Sequence, residues 1–202
     1  QIGVPKEHSF QEKRTPLTPR SVALLVARGN DVIIETGAGE GSRFKDTDYS
    51  EAGAQIANNL EEVYKAKVIL QVTPPQEEEL KLMHPGQLII SPIHLSAMNE
   101  KYIQTMMEKK VTALAFEYLK DDFGTFPMVR SMSEIAGSTA ILIAAECISN
   151  FNKGKGLLLG GVSGVPSTRV VILGAGVVGE FASRTAMGLG ANVIVFDNSV
   201  YK

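Results

Sequence analysis

The stretch Val170-Val-Ile-Leu-Gly174-Ala-Gly176-Val-Val-Gly179 decides how the second half of this chain folds. An apolar run typical of a β-strand leads directly into three glycines, and a segment with helical periodicity follows them. Gly174 permits a tight turn out of the strand, Gly176 lets backbone amides approach a pyrophosphate, and Gly179 allows the helix and the strand to pack closely. This order of strand, glycine turn and helix predicts the start of a dinucleotide-binding unit.

A carboxylate stands where such a unit contacts the adenosine ribose. Asp197 ends a second apolar strand, Asn192 to Phe196, 18 residues after Gly179. An acid at this place accepts hydrogen bonds from the ribose hydroxyls, whereas a merely structural glycine turn is the alternative interpretation. The carboxylate would repel a 2′-phosphate and no arginine follows it, which favours NAD over NADP as the cofactor. The only cation nearby is Lys202.

The composition of the chain excludes several classes of protein. It has 202 residues, 44% of them hydrophobic, with 20 Lys+Arg against 22 Asp+Glu and a formal charge of -2. Disordered chains have fewer apolar residues and a larger net charge, and nucleic-acid-binding proteins carry a basic field. Since the apolar runs fall short of the roughly 20 residues that cross a bilayer, we expect no membrane insertion. A single cysteine, Cys147, and an opening without a basic and apolar leader predict a cytoplasmic setting.

Short apolar runs alternate with amphipathic stretches along the first part of the chain, which predicts an α/β fold with a largely parallel sheet. The predicted strands are residues 2–4, 32–34, 68–70, 88–90 and 111–115. Helices are predicted over residues 19–28 and 99–109. The glycine-rich segment Gly37-Ala-Gly-Glu-Gly-Ser42 lacks the dinucleotide spacing, so we interpret it as a turn.

A change of pattern near residue 128 predicts the boundary between two domains. Ser131-Met-Ser-Glu134 offers capping hydroxyls before a long apolar helix that runs through Ile148. For Ser133 and Glu134, helix capping and a hydroxyl and amides facing the cofactor are equally compatible with the sequence. We therefore predict a substrate domain over residues 1–128. Residues 129–202 are predicted to hold a connecting helix and the first part of a Rossmann-type dinucleotide-binding domain.

Polar residues follow the predicted strands of the first domain, at the edge where open parallel sheets bind ligands. They are Lys6, Glu7, Arg14, Gln71, Thr73, His94 and Glu117. For Arg14 the competing interpretation is a solvated cation, and for His94 a hydrogen-bonded loop histidine. His8 and His84 lie in polar turns and are given no role. No metal site is predicted.

With these residues the chain resembles the alanine dehydrogenases and the related nucleotide-binding subunit of proton-translocating transhydrogenase. The resemblance is carried by Gly3-Val-Pro-Lys-Glu7, Gly37 to Ser42, Ile93-His-Leu95, residues 127–137, and Gly174 to Asp197. It implies a two-domain NAD enzyme that converts L-alanine and water into pyruvate and ammonia. The implied partner is a small amino acid or 2-oxo acid, and a homo-oligomer is expected from the resemblance alone.

The resemblance also implies roles for single residues. Arg14 corresponds to the arginine that holds the substrate carboxylate as a bidentate pair, and His94 to the catalytic histidine at the substrate carbonyl or imine. A substrate-binding lysine of the family is replaced here by Gln71, whose amide donates a hydrogen bond but supplies no positive charge. The positions that contact the cofactor correspond to Ser133, Val177 and Asp197.

A second function stays open on the same residues. The transhydrogenase branch typically keeps the lysine and lacks the histidine, so His94 favours the alanine dehydrogenase side. Gln71 supports the alternative, a non-catalytic module that binds NAD(H). Because family members continue through the rest of the nucleotide sheet and carry a catalytic aspartate there, the resemblance also implies that this chain is an N-terminal fragment.

Overall fold

The structure is a computed structural model that describes residues 1–199. The chain divides into two compact units, the first over Gln1–Tyr118 and the second beginning at Leu119. The boundary predicted after residue 128 falls ten residues further on, inside the first helix of the second unit.

The first unit is an α/β unit with a six-stranded sheet. Its strands are β1 (Ile2–Val4), β2 (Val32–Glu35), β3 (Gln55–Ala57), β4 (Val68–Leu70), β5 (Leu88–Ser91) and β6 (Thr112–Ala115). Its helices are α1 (Pro19–Ala27), α2 (Asp46–Glu51), α3 (Leu60–Val63), α4 (Glu77–Leu82) and α5 (Glu100–Glu108). The strand order is β3-β2-β1-β4-β5-β6, and every neighbouring pair is parallel. The chain therefore winds outwards from β1 to β3 and then continues in the opposite direction from β4.

Strand β3 was absent from the sequence prediction. It has only three residues, and Ile56 is the one β-branched side chain among them, so no run of strand type marks it. The strand exists because it pairs with β2, where Ile34 is the register partner of Ile56. The tertiary pairing, rather than local propensity, makes this segment a strand.

Apolar side chains cover both faces of the six-stranded sheet. Along β2, Val32 and Ile34 join one buried cluster, while Ile33 packs against the other. On β4, Ile69 belongs to the second of these clusters and Leu70 packs against the first. Because successive side chains of a strand point to opposite faces, the two clusters lie on the two sides of the sheet. This is the arrangement expected for a parallel sheet covered by helices.

The second unit combines two helices with a two-stranded parallel sheet. Its elements are α6 (Pro127–Ile148), β7 (Arg169–Leu173), α7 (Val177–Gly188) and β8 (Asn192–Phe196). The predicted start of α6 at Ser131 to Glu134 is wrong, because the helix begins at Pro127 and those residues lie inside it. Proline suits the first helical position, where its missing N–H needs no acceptor. The Ser131 hydroxyl donates to the Pro127 carbonyl oxygen at 3.0 Å instead of capping the helix.

Helix α6 packs closely against α7 at Gly137. A Cβ atom added to Gly137 would overlap with the carbonyl oxygen of Val178. Further along α6, Ile141 shares a buried cluster with Ala182 and Ala186 of α7. Among the residues described, α6 is the one helix long and apolar enough to cross a membrane by length and composition. Its contacts with α7 make it the core helix of the second unit.

Candidate functional site

The topology of the first unit gathers the predicted substrate residues at one edge of the sheet. Since all six strands are parallel, the segments that follow β1, β4, β5 and β6 lie at the same carboxyl edge. Strands β1 and β4 are neighbours whose connections leave in opposite directions, and ligands bind at this switch point in open α/β sheets. Glu7 follows β1, Gln71 follows β4, His94 follows β5 and Glu117 follows β6.

Glu7 ties the two loops at the switch point together. One carboxylate oxygen accepts a hydrogen bond from the Val72 backbone N–H at 2.6 Å, and the other accepts one from the Thr73 hydroxyl. Burial raises the pKa of Glu7, and these hydrogen bonds oppose that shift only in part. The loop after β4 is therefore fixed to the loop after β1 by a single side chain.

Arg14 lies in the long loop after β1 and pairs with Glu12. Its Nε donates to Oε1 of Glu12 at 2.9 Å, and its Nη2 donates to Oε2 at 2.6 Å. This fork-to-fork pair raises the pKa of Arg14 and lowers the pKa of Glu12. The Arg14 side chain is about half exposed. The structure thus shows the guanidinium in the bidentate geometry that carboxylate binding requires, with a carboxylate of the chain itself as partner.

Gln71 differs most from its expected place. Its side chain is buried, with 1% of the residue exposed. Its Oε1 accepts a hydrogen bond from the Tyr64 hydroxyl at 3.1 Å, and its Nε2 donates to Oε1 of Glu79 at 2.9 Å. The sequence prediction had the amide facing a substrate, whereas here it faces the interior. Substrate contact by Gln71 would need the side chain to rotate out of this network, and that role stays a prediction.

Glu79, which sequence analysis gave no role, holds the other end of this network. Its Oε2 accepts from the Gln76 backbone N–H at 2.5 Å, and burial raises its pKa above the usual range. It belongs to the acidic run Glu77-Glu-Glu79, a pattern typical of a solvated helix start. Only the fold shows that the third carboxyl of this run points inward, with 4% of the residue exposed.

His94 follows β5 in an unusual backbone conformation. Its φ of 48° lies in the left-handed region, which non-glycine residues rarely adopt. The backbone N–H groups of Ile93 and His94 both donate to Oε1 of Glu117, at 2.8 and 2.9 Å. The imidazole is more than half exposed, and its Nδ1 lies 4.0 Å from the same oxygen. The structure therefore presents the His94 ring at the carboxyl edge, anchored through its backbone to the segment after β6.

Glu117 has one carboxylate oxygen in use and one without a partner. Oε2 of Glu117 is, among the residues described, the only buried side-chain nitrogen or oxygen without a hydrogen bond. Burial disfavours the charged form, but the amides of His94 and Ile93 outweigh it and keep the pKa of Glu117 below its usual range. The residue is therefore an anionic acceptor with unused capacity beside the imidazole.

In the second unit the three glycines behave as their spacing predicts. Gly174 has a φ of 102°, which glycine adopts without strain as the chain turns out of β7. A Cβ on Gly179 would overlap with the Gly174 carbonyl oxygen, so only glycine permits this approach of α7 to the turn. Gly176 is the N-cap of α7, and a Cβ there would meet no atom within 4 Å. Space is thus open before Val177, the first residue of α7, whose amide has no acceptor inside the helix.

Asp197 lies where the sequence places it, directly after β8 and beside the glycine turn. Its Oδ2 accepts from the Ala175 backbone N–H at 2.6 Å, and its Oδ1 accepts from the Ser199 N–H at 2.8 Å. The residue lines an open cleft together with Gly179, Glu180, Ser183 and Val195. Lys202, the other predicted cofactor residue at this end, lies outside the described residues.

Ser133 lies one helical turn before Gly137, and residues four apart on a helix share a face. Since Gly137 contacts the start of α7 and Ile141 contacts its later turns, this face of α6 leads from Ser133 towards the beginning of α7. The side chain of Ser133 is half-buried. Amides inside a helix are already bonded, so of the two groups considered at this position only the hydroxyl remains available to a cofactor.

The glycine turn and Asp197 fit a dinucleotide. Open space in front of a helix N-terminus suits a pyrophosphate, and a carboxylate at the end of the next strand suits ribose hydroxyls. By contrast, no group of three or more His, Cys, Asp or Glu side chains in residues 1–199 is arranged to hold a metal ion. The class defined by fold and site is an α/β protein with a doubly wound first unit and the start of a Rossmann domain.

Comparison with known proteins gives the family. Residues 3–136 match the alanine dehydrogenase/PNT N-terminal domain, and residues 140–202 match the alanine dehydrogenase/PNT C-terminal domain. The chain belongs to the alanine dehydrogenase/PNT family.

Relatives of known name cover nearly all of this chain. It is 41% identical over 196 residues to the alanine dehydrogenase of Staphylococcus saprophyticus, a match that covers 97% of this chain and 53% of that protein. Alanine dehydrogenase 2 of Staphylococcus aureus strain USA300 is 39% identical over 196 residues, with 97% of this chain and 52% of that protein covered. The chain spans about half the length of the curated relatives it matches.

Two solved structures share the fold. An L-alanine dehydrogenase superposes with a TM-score of 0.93 at 40% identity, covering 99% of this chain and 55% of that one. A transhydrogenase from Sinorhizobium meliloti superposes with a TM-score of 0.85 at 30% identity, covering 99% of this chain and 57% of that one. The chain is thus a homologue of alanine dehydrogenase, an NAD-dependent oxidoreductase.

Proposed function

We propose that this chain supplies the substrate domain and the first part of the nucleotide domain of an alanine dehydrogenase. The reaction is L-alanine + NAD⁺ + H₂O → pyruvate + NH₄⁺ + NADH + H⁺. The observation that carries the proposal is the exposed His94 imidazole at the carboxyl edge of the sheet, in a chain 41% identical to an alanine dehydrogenase. A cytoplasmic setting and a homo-oligomer remain predictions from the resemblance.

Arg14 binds the carboxylate of alanine in this proposal. The pair with Glu12 shows that the guanidinium is held with two donors parallel, which is the geometry a second carboxylate would meet. Binding of alanine then exchanges the Glu12 carboxylate for that of the substrate. The Arg14 side chain is 55% exposed, against 12% for Glu12, so the substrate carboxylate can approach the guanidinium from the solvent side.

His94 carries the proton transfers. The ammonium group of alanine first loses a proton to solvent, and NAD, when bound by the second unit, would supply the acceptor for the hydride of the α-carbon. The imidazole of His94 then takes a proton from the water that adds to the resulting iminium carbon, and it returns a proton to the nitrogen that leaves as ammonia. An imidazole suits both steps because one of its ring nitrogens can accept a proton and the other can donate one.

The second unit holds the cofactor through backbone amides and one carboxylate. The amides at the start of α7, beginning with Val177, face the pyrophosphate across the space left by Gly176. Asp197 follows β8 beside the glycine turn, and its carboxylate accepts from the ribose hydroxyls. The hydroxyl of Ser133 is the donor that α6 contributes.

The test of the proposed function is alanine-dependent NADH formation by the complete protein, followed by absorbance. His94→Ala should lower kcat by about a hundredfold or more, as expected for loss of a general acid and base. His84→Ala is the matched control, since His84 lies in an exposed turn away from the carboxyl edge and should leave kcat unchanged. Robust activity in His94→Ala would contradict the mechanism.

The cofactor assignment is tested through Asp197. We expect the complete protein to bind NADH more tightly than NADPH, because the carboxylate repels a 2′-phosphate. Asp197→Ser should reduce the ratio between the affinities for NADH and NADPH by about tenfold or more, which corresponds to the loss of one charge-assisted hydrogen bond. Fluorescence titration with each reduced nucleotide measures it, and equal affinities in the wild-type protein would refute the assignment.

A second candidate function is a non-catalytic module that binds NAD(H). The observation that favours it is Gln71, which brings no positive charge and whose amide is occupied by Tyr64 and Glu79. Under the enzymatic proposal, Gln71→Lys should raise kcat/KM for alanine by about ten- to a hundredfold, because a cation returns to the substrate carboxylate. If neither the wild-type protein nor Gln71→Lys forms NADH while NADH still binds, the module is the better description.

A further inference from the structure

The segment after β6 contacts the segment after β5 through one carboxylate. Oε1 of Glu117 accepts the N–H groups of both Ile93 and His94. These two bonds hold His94 in its left-handed conformation, with φ 48° and ψ 50°. The backbone of the proposed catalytic residue is therefore set by a side chain 23 residues further along the chain.

The second oxygen of Glu117 has no partner although it is buried. A buried anionic acceptor without a donor is uncommon in folded proteins and calls for a donor within reach. The imidazole of His94 lies beside this carboxylate, with its Nδ1 4.0 Å from Oε1. The ring is 58% exposed and can turn about its side-chain torsions, whereas Glu117 is fixed by its two backbone donors.

We propose that Glu117 is a positioning residue for His94, whose Nδ1–H donates to the Glu117 carboxylate so that the lone pair of Nε2 points towards the substrate. This inference rests on the proposed function for its catalytic meaning. The hydrogen bond made by one ring nitrogen of a histidine decides which nitrogen carries the proton. A carboxylate cannot donate when ionised, so it selects the tautomer with hydrogen on Nδ1.

The ionised state of Glu117 is supported by its surroundings. The two amide donors favour the carboxylate over the acid, and the neighbouring His94 acts in the same direction. A substitution at Glu117 therefore tests what sets the tautomer of His94.

The direct test is the tautomer of His94 in protein labelled with ¹⁵N-histidine, read from long-range proton–nitrogen correlations. His94→Gln identifies the signal of this residue, and His8→Gln and His84→Gln identify those of the other two histidines of the chain. We expect His94 to carry its proton on Nδ1 in the wild type. In Glu117→Gln the oxygen of the introduced amide still accepts both backbone N–H groups. Its NH₂ group then donates towards Nδ1 of the ring, so the ring proton of His94 should move to Nε2.

Glu62→Gln is the matched control. Glu62 also accepts a backbone N–H, from Asn58 at 3.0 Å, and it lies in α3, which is not one of the segments after β5 and β6. The control should leave the His94 tautomer unchanged. The inference is overturned if His94 of the wild type carries its proton on Nε2. It is also overturned if Glu117→Gln leaves the tautomer unchanged. The wild-type measurement decides the question even if the variant folds poorly.

Kinetics on the complete protein give a second readout. Glu117→Gln should lower kcat by about ten- to a hundredfold with little change in KM for alanine, because Arg14 binds the substrate and only the proton transfer is impaired. An unchanged kcat would contradict the positioning role. If the tautomers are as expected but the wild-type protein forms no NADH, the proposed function fails while the control of His94 by Glu117 stands.

Discussion

The sheets of the two units differ in how completely they enclose their apolar side chains. In the six-stranded sheet, Ile69 and Ile89 have no exposed surface. In the two-stranded sheet, Leu173 is 82% exposed and Phe196 is 58% exposed. In both units strands and helices alternate along the chain, so this alternation alone does not enclose a hydrophobic core. Strands are enclosed when they have neighbours on both sides and helices on both faces, as β4 and β5 do in the first unit.

The largest expected effect separates these two environments directly. Ile89→Ala removes a buried side chain from the middle of the six-stranded sheet and should lower the free energy of unfolding by about 2–5 kcal/mol. In the 202-residue chain, where Leu173 is exposed on the two-stranded sheet, Leu173→Ala should change it by less than about 0.5 kcal/mol. Urea denaturation followed by circular dichroism measures both. Equal losses would show that Leu173 is enclosed in solution.

A smaller effect compares two glycines of α7 within the second unit. Gly179→Ala places a methyl group against the Gly174 carbonyl oxygen and should destabilise the unit by about 1–3 kcal/mol. Gly188→Ala, at the other end of the helix, meets no atom within 4 Å and should stabilise it by about 0.5–1 kcal/mol. Amide hydrogen exchange of α7 measures the two changes. A neutral Gly179→Ala would mean that the turn can relax away from the helix.

The smallest effect concerns pH and the polar network buried in the first unit. Burial raises the pKa of Glu79, so the folded protein binds this proton more tightly than the unfolded chain does. The stabilisation by Glu79 is complete below its pKa in the unfolded chain, which is near 4.5. It is lost as the pH rises through the raised pKa that Glu79 has in the folded protein. Glu79→Gln removes this loss, which is at most about 1.4 kcal/mol per pH unit.

The measurement is the free energy of unfolding from pH 4 to pH 8 for the wild type and for Glu79→Gln. The free energy of unfolding of the variant should rise relative to that of the wild type as the pH rises, because the introduced amide has no proton to lose. The amide of Gln71 can turn over to accept a hydrogen bond from it. Glu77→Gln is the control in the same acidic run, with a side chain about half exposed. A gain for Glu79→Gln that does not depend on pH would indicate a packing effect.

The sequence predicts the parts of this fold that local patterns encode. Apolar runs predict β1 and β4 with the bounds they have, and the glycine spacing predicts the turn before α7. Strand β3 was missed because its pairing with β2 decides its structure. The start of α6 was misplaced because serines suggested a cap, whereas Pro127 was the stronger signal.

The residues of the candidate site fall into the same two groups, those arranged by local patterns and those arranged by tertiary contacts. Asp197 and the glycines come from one continuous segment, so their arrangement follows from their spacing. The partners of Gln71 and His94 come from distant segments, namely Tyr64, Glu79 and Glu117, and only the sheet order brings them together. A sequence shows which side chains can do chemistry, but which of them are turned inward depends on tertiary contacts.

Gly137 of α6 affects the position of the glycine turn before α7, although that turn lies outside α6. Since its lack of a side chain lets α6 lie against the Val178 carbonyl, the spacing between the two helices is set at the first turn of α7. That turn carries the amides that face the space before Gly176. A methyl group at Gly137 would push the first turn of α7 away from α6 and change the direction in which those amides point. Nucleotide affinity would then respond to a substitution at a residue that touches no nucleotide.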